Sequence, residues 1–275
     1  MQIPGANQKS FLRWAGSKRQ LLPAIAQYWT PTFNRYIEPF CGSASLYFSL
    51  KPSAAILSDL NEHLIETLTC VQRSPDLVSE SLARYRTDRE TYYKVRRLNP
   101  STLTPVERAA RFIYLNLLCF NGLYRVNKQG EFNVPYGAKQ RKKIVDAFAM
   151  RETSRQLSSC EIVCCDFEET VCRAEQGDFL YLDPPYATAD QSVFTEYNVD
   201  AFSPKDLERL KAALNAADRR GVSFVLSYAN VPEITNRWMD WPVRTVTTRR
   251  NIAGFTGSRR YVEEVLISNI ELFND

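Results

Sequence analysis

The sequence lacks several features that would assign it to a common class of protein. Its 275 residues include no run of about 18 uninterrupted apolar residues, and its N-terminus has no basic stretch followed by an apolar segment and a cleavage site. Histidine occurs once, as His63, and none of the seven cysteines forms a CxxC pair. We therefore expect no membrane association, no metal site and no disulfide framework, but a soluble intracellular chain with reduced, mostly buried thiols.

An overall excess of charge is also nearly absent, because the formal net charge is only +4. The excess is local. Between Asn121 and Lys143 there is one acid, Glu131, and a second segment, 249–260, has none. Either cluster alone would be typical of a solvated surface, but the two together predict a polyanionic partner. Their basic residues are Arg125, Lys128, Lys139, Arg141, Lys142, Lys143, Arg249, Arg250, Arg259 and Arg260.

Strand and helix patterns alternate along most of the chain, which predicts an α/β fold with a doubly wound parallel sheet. The length favours one main domain with an insertion. We expect helices over 18–29, 61–71 and 203–219, and strands over 35–40, 54–59, 161–166, 178–183, 222–230, 243–248 and 261–269.

The middle of the chain departs from this alternation. Residues 77–120 are helical in pattern and charged, and 121–137 are rich in Asn, Gly, aromatic and β-branched residues. These patterns predict an inserted helical unit followed by a β-hairpin or an irregular ribbon, in which Phe132, Val134 and Tyr136 form the packed face. Residues 187–200 have no clear period and are a candidate mobile loop.

The motif Asp183-Pro184-Pro185-Tyr186 carries the sharpest chemical signal. It follows FLYL, a buried-strand pattern, and ligands bind at the carboxyl ends of such strands. Two prolines fix an extended turn with bare carbonyls. The Asp183 carboxylate and the Pro184 carbonyl could accept both N–H bonds of an aromatic amine that stacks on Tyr186, freeing the nitrogen lone pair for attack on a methyl sulfonium. A plain turn at the end of a strand is the alternative.

A second motif, YIEPFCGSAS (36–45), runs from a strand through a small-residue turn into a helix. Such a turn allows a ligand to approach the backbone closely, and Glu38, Phe40 and Gly42 are candidate cofactor residues. Asp59 ends the next strand, where a carboxylate can bind both ribose hydroxyls of a nucleoside cofactor. With one glycine the motif is weak, and ordinary strand–helix packing explains it equally well.

The order of motifs resembles the Dam-like adenine-N6 DNA methyltransferases (D12 class, alpha group). The matching segments are WAGSK (14–18), EPFCGSAS (38–45), SDLN (58–61), NGLYRVNKQGEFNVPYG (121–137) and DPPY (183–186), and they span nearly the whole chain. The long central segment is the most specific of them. The chain departs from the family pattern at Ser17 and Ala44, where glycines are usual.

The resemblance implies a Rossmann-like methyltransferase sheet that binds S-adenosylmethionine through 1–72 and 159–275, with a target-recognition domain at 73–158. It implies that Lys18 pairs with the methionyl carboxylate, Trp14 packs beside the cofactor, Asp59 binds the ribose and Asp166 the adenine amino group. The implied cofactor set is Trp14, Lys18, Glu38, Phe40, Gly42, Asp59, Asp166, Phe167 and Asp183, and the implied catalytic set is Asp183, Pro184, Pro185 and Tyr186.

The substrate implied is double-stranded DNA, which would be methylated at adenine N6 in GATC or a related short site. The adenine must be flipped out of the duplex. Arg125 could read a guanine and Asn121 an adenine, while Lys139, Arg141, Lys142 and Lys143 contact phosphates, as the arginines that flank 251–258 could on another face. We expect a monomer in the cytoplasm, associated with the nucleoid. The DNA-binding candidates are Asn121, Leu123, Arg125, Lys128, Pro135, Tyr136, Lys139, Arg249 and Arg259.

Two other functions stay open from the sequence. Related pockets that begin with Asn methylate RNA or a glutamine side chain, although DPPY with the NGLYR segment favours DNA adenine. A DNA-binding module without turnover is the alternative from another class, and the intact Asp183, Tyr186, Lys18 and Asp59 argue against it. An active enzyme could serve a restriction-modification pair, mark newly copied DNA or come from a phage.

Overall fold

The computed structural model describes residues 10–14, 18, 20–137, 145–187, 202–235, 238, 240–251 and 259–272. Seven strands form one sheet in the order β3-β2-β1-β4-β5-β7-β6. β7 is antiparallel to both of its neighbours, and the other pairings are parallel. The strands are β1 (Tyr36–Glu38), β2 (Ala55–Asp59), β3 (Cys160–Cys164), β4 (Phe179–Leu182), β5 (Ser223–Ala229), β6 (Val243–Asn251) and β7 (Arg259–Ser268).

Most of the longer helices begin at a residue whose side chain caps the first turn. Thr104 with Glu107 and Ser203 with Asp206 form capping boxes, in which each pair satisfies two backbone N–H groups. The helices are α1 (Leu22–Ile25), α2 (Ser45–Leu50), α3 (Glu62–Arg73), α4 (Pro75–Ala83), α5 (Arg89–Arg96), α6 (Pro105–Leu118), α7 (Ala147–Leu157), α8 (Phe167–Cys172), α9 (Pro204–Arg219) and α10 (Pro232–Thr235).

Both faces of the sheet are buried, so successive strand residues enter different hydrophobic clusters. On β4, Phe179 and Tyr181 belong to the cluster that includes α3 and α6, whereas Leu180 and Leu182 belong to the cluster that includes α8 and α9. Alternate strand residues thus face helices on opposite sides of the sheet. This is the doubly wound arrangement, which is consistent with a methyltransferase-like fold.

A helical segment separates β2 from β3. α3, α4, α6 and α7 pack on one another, and α3 also contacts β2 and β3. α6 is apolar around most of its circumference and is largely buried, as expected for the central helix of such a unit. The packed interior of this segment is continuous with the core on one face of the sheet.

Of the two alternatives expected for 121–137, a β-hairpin or an irregular ribbon, the structure has the irregular ribbon. Residues 119–137 make an irregular ribbon with two isolated bridges, Cys119 to Tyr136 and Val126 to Phe132. Asn121 and Gly122 have φ of 55° and 66°, and Pro135 has no N–H to donate, so a continuous ladder cannot form. Val134 is buried, and Phe132 and Tyr136 pack against the core, which confirms their expected packing role.

Three other expectations need correction or lie outside the described residues. The helix expected over 18–29 is short: α1 continues only as a 3-10 turn to Tyr28. The expectation of mostly buried thiols is wrong, because only Cys41, Cys119 and Cys160 are buried, and the edge strand β3 leaves Cys164 exposed. Most of the candidate mobile loop, 188–200, lies outside the described residues. Among the helices described, none is long and apolar enough to cross a bilayer.

Candidate active site

A cleft of about 980 Å³ opens at the carboxyl ends of β1, β2 and β4. The strand order reverses here, because β2 and β3 lie to one side of β1 and β4 to the other. Ligands of open α/β sheets bind at such a switch point, and the volume suits a nucleoside-sized molecule. All the candidate cofactor and catalytic residues line this cleft: Trp14, Lys18, Glu38, Phe40, Gly42, Asp59, Asp166, Phe167, Asp183, Pro184, Pro185 and Tyr186.

Asp183 directly follows β4, and its carboxylate contacts an ammonium group and a hydroxyl group. Lys18 Nζ lies 3.1 Å from Asp183 Oδ1, and the Ser227 hydroxyl of β5 donates to the same oxygen over 3.2 Å. Burial raises the pKa of Asp183, while Lys18 opposes this rise. The carboxylate is thus a hydrogen-bond acceptor held in place from two sides.

Lys18 is nearly buried and contacts three members of the site. Besides Asp183, its ammonium lies 2.5 Å from Glu264 Oε2 and 5.0 Å from the centre of the Tyr186 ring. Burial lowers the pKa of Lys18, but attraction to Asp183 and Glu264 outweighs burial and raises it above its usual value. Lys18 is therefore a fixed positive charge beside the DPPY turn.

The turn after β1 brings the backbone close to the N-terminal segment. Gly42 has φ of 46°, and a Cβ there would lie 2.7 Å from Cδ1 of Trp14. Trp14 is in turn stacked on Tyr124 of the ribbon, with ring centroids 6.0 Å apart. Ala44, the departure from the family glycine, is buried with φ of 49°, a left-handed conformation that costs a non-glycine residue roughly 1–2 kcal/mol. Ser17 lies outside the described residues.

Two carboxylates from neighbouring strands face the cleft beside this turn. Asp59 accepts hydrogen bonds from the N–H groups of Gly42 and Asn61, each 3.0 Å long. Burial raises the pKa of Asp59, and these backbone bonds oppose the rise. Burial likewise holds the pKa of Glu38 well above its usual value, although the Tyr36 hydroxyl donates to it over 2.9 Å. Asp59 retains lone pairs for a ligand diol.

Asp166 caps α8 and lies at the far side of the cleft. Its Oδ1 accepts from the N–H of Glu168 at 2.9 Å and from the Arg209 guanidinium at 2.8 Å. Phe167 follows it, with its ring centroid 5.3 Å from that of Phe40. Phe202, which the sequence did not single out, packs against both rings. The aromatic cluster and the capped carboxylate form an apolar pocket with one polar edge.

The ribbon borders the same cleft through Tyr124, Arg125 and Val126. Arg125 is exposed, and its Nε donates to Oδ1 of Asn133 on the opposite side of the ribbon over 2.7 Å. The ribbon is tied to the helical segment, because the hydroxyl of Tyr92 donates to the Val134 carbonyl at 2.9 Å. The exposed Arg125 side chain thus extends from a ribbon whose backbone is hydrogen-bonded to the helical segment.

The other DNA-binding candidates lie along the ribbon or beyond it. Asn121, Lys128 and Pro135 are exposed, while Leu123 and Tyr136 are half-buried. Tyr136 donates its hydroxyl to the Thr87 carbonyl, 3.1 Å away. Lys139 and the three basic residues after it lie outside the described residues. Arg249 and Arg259 sit near the paired ends of β6 and β7, on strands that do not contribute to the described lining of the cleft.

Glu264, like Phe202, is a site residue that the sequence analysis missed. It is 2% exposed on β7, and it accepts a hydrogen bond from the Tyr186 hydroxyl at 3.3 Å besides its contact with Lys18. One signal was available: two glutamates stand together in the strand VEEVLIS, and alternation turns one of them inward. Its partners are distant in sequence and could not be read from that pattern.

Comparison with known proteins identifies the family. The family model of D12 class N6 adenine-specific DNA methyltransferases matches residues 14–252. The chain is 35% identical to the Type II methyltransferase M1.LlaDCHI of Lactococcus lactis subsp. cremoris, over 96% of each protein. It is 35% identical to the Type II methyltransferase M.MjaIII of Methanocaldococcus jannaschii, over 95% of this chain and 99% of that protein. It is 30% identical to the DNA adenine methylase of Salmonella typhi, over 94% of each. The chain therefore belongs to the D12 class of N6 adenine-specific DNA methyltransferases.

Proposed function

We propose that this adenine-specific DNA methyltransferase takes its methyl group from S-adenosylmethionine and flips its target adenine out of duplex DNA at GATC or a closely related site. One observation carries the proposal: the DPPY turn, Lys18, Asp59 and Asp166 line a single cleft at the switch point of the sheet. A donor and a target amine could therefore meet at Asp183.

The chemistry of the cleft fits S-adenosylmethionine. Five carboxylates line it against two basic residues, so its charge suits a cationic ligand. Asp59 would accept the ribose hydroxyls, and Asp166 the adenine amino group beside the aromatic rings of Phe40 and Phe167. Lys18 has three donors, of which two face Asp183 and Glu264, and the third would bind the methionyl carboxylate. When bound, this cofactor supplies an electrophilic methyl group.

The DPPY residues would hold the target amine. The Asp183 carboxylate and the Pro184 carbonyl would accept the two N–H bonds of N6, which leaves the nitrogen lone pair free to react. Tyr186 would stack on the adenine ring, because its own ring is fixed by a 5.1 Å edge contact with Tyr228. Hydrogen-bond acceptance and stacking would thus come from neighbouring residues of one turn.

Reaching such a pocket requires the adenine to leave the base stack, at a cost of a few kcal/mol that contacts elsewhere must offset. We assign those contacts to a target-recognition domain, 73–158, with 1–72 and 159–275 as the catalytic domain. The ribbon borders the cleft, so a duplex held by Arg125, Asn121, Leu123 and Pro135 would present its bases to the DPPY turn. Lys128, Lys139, Arg249 and Arg259 would contact phosphates.

The biological setting follows from the substrate. An enzyme that acts on chromosomal DNA works beside the nucleoid in the cytoplasm, and a single cleft with its own ribbon suffices for a monomer. The Type II names of two relatives favour a restriction-modification role. A restriction nuclease gene adjacent to the coding sequence would support that role.

The test is methylation-sensitive long-read sequencing of DNA from a methylation-free host that expresses this chain. We expect N6-methyladenine confined to one short motif, GATC or a variant of it. A matched host expressing the Asp183→Ala variant controls for background modification. If soluble, cofactor-binding protein left every adenine unmodified, the assignment of duplex DNA as substrate would be wrong, and methylation of RNA or protein would be tested next.

A further inference from the structure

One buried carboxylate at the site has no part in the chemistry proposed so far. Glu264 lies in the middle of β7 and is 2% exposed. Its Oε2 is 2.5 Å from Lys18 Nζ and accepts from the Tyr186 hydroxyl at 3.3 Å. Glu264 therefore contacts both Lys18, which pairs with Asp183, and Tyr186, which would stack on the adenine.

Burying this carboxylate is costly, and charge balance alone does not require it. Lys18 and Asp183 already form a neutral pair, so Glu264 gives the three-residue cluster a net charge of −1 when all are ionised. A buried charge is retained at such a cost only where its partners are well satisfied, and a neutral residue of similar volume would often stabilise the fold more. A role in function explains its presence better than stability does.

We propose that Glu264 is a positioning residue for methyl transfer: it fixes Lys18 and Tyr186 and divides the charge of Lys18 between two carboxylates, so that Asp183 remains a strong acceptor for the target amine. This inference rests on the proposed function of the DPPY turn. The inference concerns how strongly Asp183 accepts hydrogen bonds, whereas the proposed function concerns which substrate the enzyme methylates.

The groups around Asp183 determine whether its pKa should rise or fall when Glu264 is neutralised. The charged and titratable groups that act on it are Lys18 from the N-terminal segment, Glu38 from β1, Tyr181 from β4 and Glu264 from β7. Lys18 lowers the pKa of Asp183, and Glu264 raises it by like-charge repulsion. Neutralising Glu264 should therefore lower this pKa and weaken Asp183 as an acceptor.

The experiment compares the pH dependence of kcat for wild type and Glu264→Gln at saturating S-adenosylmethionine and duplex oligonucleotide. Glutamine keeps one oxygen for the Tyr186 hydroxyl, while it removes the charge and replaces the other carboxylate oxygen by an NH2 group. We expect the acidic limb of the profile to move to lower pH and the plateau to fall about tenfold. The Kd for the cofactor, measured by calorimetry without DNA, should change by a smaller factor than kcat, because Lys18 stays paired with Asp183.

The matched control is Glu263→Gln, because Glu263 neighbours Glu264 on β7 but is exposed and accepts from the Asn230 side chain over 2.8 Å. It should leave the profile unchanged. Glu264→Met removes the Tyr186 acceptor as well. That variant should therefore also change the fluorescence of 2-aminopurine placed at the target position in a duplex without cofactor, whereas Glu264→Gln should not.

Two outcomes would overturn the proposal. An acidic limb of Glu264→Gln that coincides with wild type would remove the link to Asp183, and a loss of cofactor binding in proportion to kcat would make Glu264 a cofactor-site residue. If Glu264→Gln folds poorly, the same substitution is made in the Lys18→Met background, where Glu264 no longer has its ammonium partner. The acidic limb of the double variant should lie at lower pH than that of Lys18→Met alone. Failure of the wild type to methylate DNA would instead refute the proposed function.

Discussion

Lys18 Nζ lies 3.1 Å from Asp183 Oδ1, which joins the N-terminal segment to the turn after β4. Two effects meet on that carboxyl group. Burial raises its pKa, and the nearby ammonium lowers it. Only the ionised carboxylate can accept the amine N–H without competing as a donor, so Lys18 favours the form of Asp183 that the proposed reaction needs.

Replacing Lys18 with methionine should therefore move the acidic limb of kcat to higher pH. The pKa of Asp183 is already raised by burial, and loss of the cation raises it further, so protonation would reach into the working range of the enzyme. The measurement is the kcat profile at saturating cofactor. Lys211→Met is the control. Lys211 lies on α9 and its Nζ is 2.7 Å from Asp240 Oδ2, so this variant also removes a paired lysine, but one that does not contact Asp183. An unchanged limb in Lys18→Met would contradict this electrostatic coupling.

Asp183 itself is expected to separate catalysis from cofactor binding. In Asp183→Ala one of two amine acceptors is lost while Asp59, Asp166 and Lys18 remain, so kcat should fall by at least about 10²- to 10³-fold. The cofactor Kd should rise by no more than about tenfold, which is ~1.4 kcal/mol. Asp183→Asn keeps one neutral acceptor oxygen and should lose less activity than Asp183→Ala. Single-turnover kinetics measure the rate of methyl transfer, and calorimetry measures the cofactor Kd. Wild-type-like turnover by Asp183→Ala would show that Asp183 does not hold the target amine.

Much of the fold was predictable because local patterns encode it. FLYL before Asp183 reads as a strand with two buried faces, and the spacing of apolar residues after Ser203 predicts α9. Asp59 was found in the same way, at the end of a strand. These features depend on neighbours in sequence, which is the information that a single sequence carries.

What could not be predicted depends on contacts across the sheet. Strand order has no local signature, so β7 could not be placed beside β5, and Glu264 could not be placed beside Lys18. The ribbon failed to become a hairpin for a local reason, since Asn121 and Gly122 adopt left-handed conformations that only weak propensities indicate. The pairing of Arg125 with Asn133 follows from that irregular path.

A stability prediction independent of the site concerns Lys51 at the end of α2. It is exposed and has φ of 53°, a left-handed conformation that costs a side-chain-bearing residue roughly 1–2 kcal/mol. Lys51→Gly removes this strain, and the greater unfolded-state entropy of glycine offsets about 0.4–1 kcal/mol of the gain. We expect the free energy of unfolding to rise by about 0.5–1 kcal/mol and Tm by roughly 1–4 °C. Lys51→Ala, which keeps the strain, should melt like wild type, and an equal Tm for Lys51→Gly would refute this account.

Arg125 should determine specificity at one base pair. Its Nε is held by Asn133, which leaves the two terminal nitrogens of the guanidinium to form a bidentate pair with O6 and N7 of a guanine. Arg125→Ala should therefore reduce discrimination at a single guanine by roughly 1–3 kcal/mol. Methylation rates on a set of duplexes, each with one substituted base pair, measure that discrimination.

Two variants separate base reading by Arg125 from simple attraction to DNA. Asn133→Ala frees the guanidinium without removing it, and should reduce discrimination at the same guanine by a smaller amount, about 0.5–1.5 kcal/mol. Lys128→Ala removes an exposed charge of the same ribbon and should slow methylation of every duplex alike, with a reduced dependence on salt. If Arg125→Ala behaved like Lys128→Ala, Arg125 would be a phosphate contact, and another residue of the ribbon would have to read the guanine.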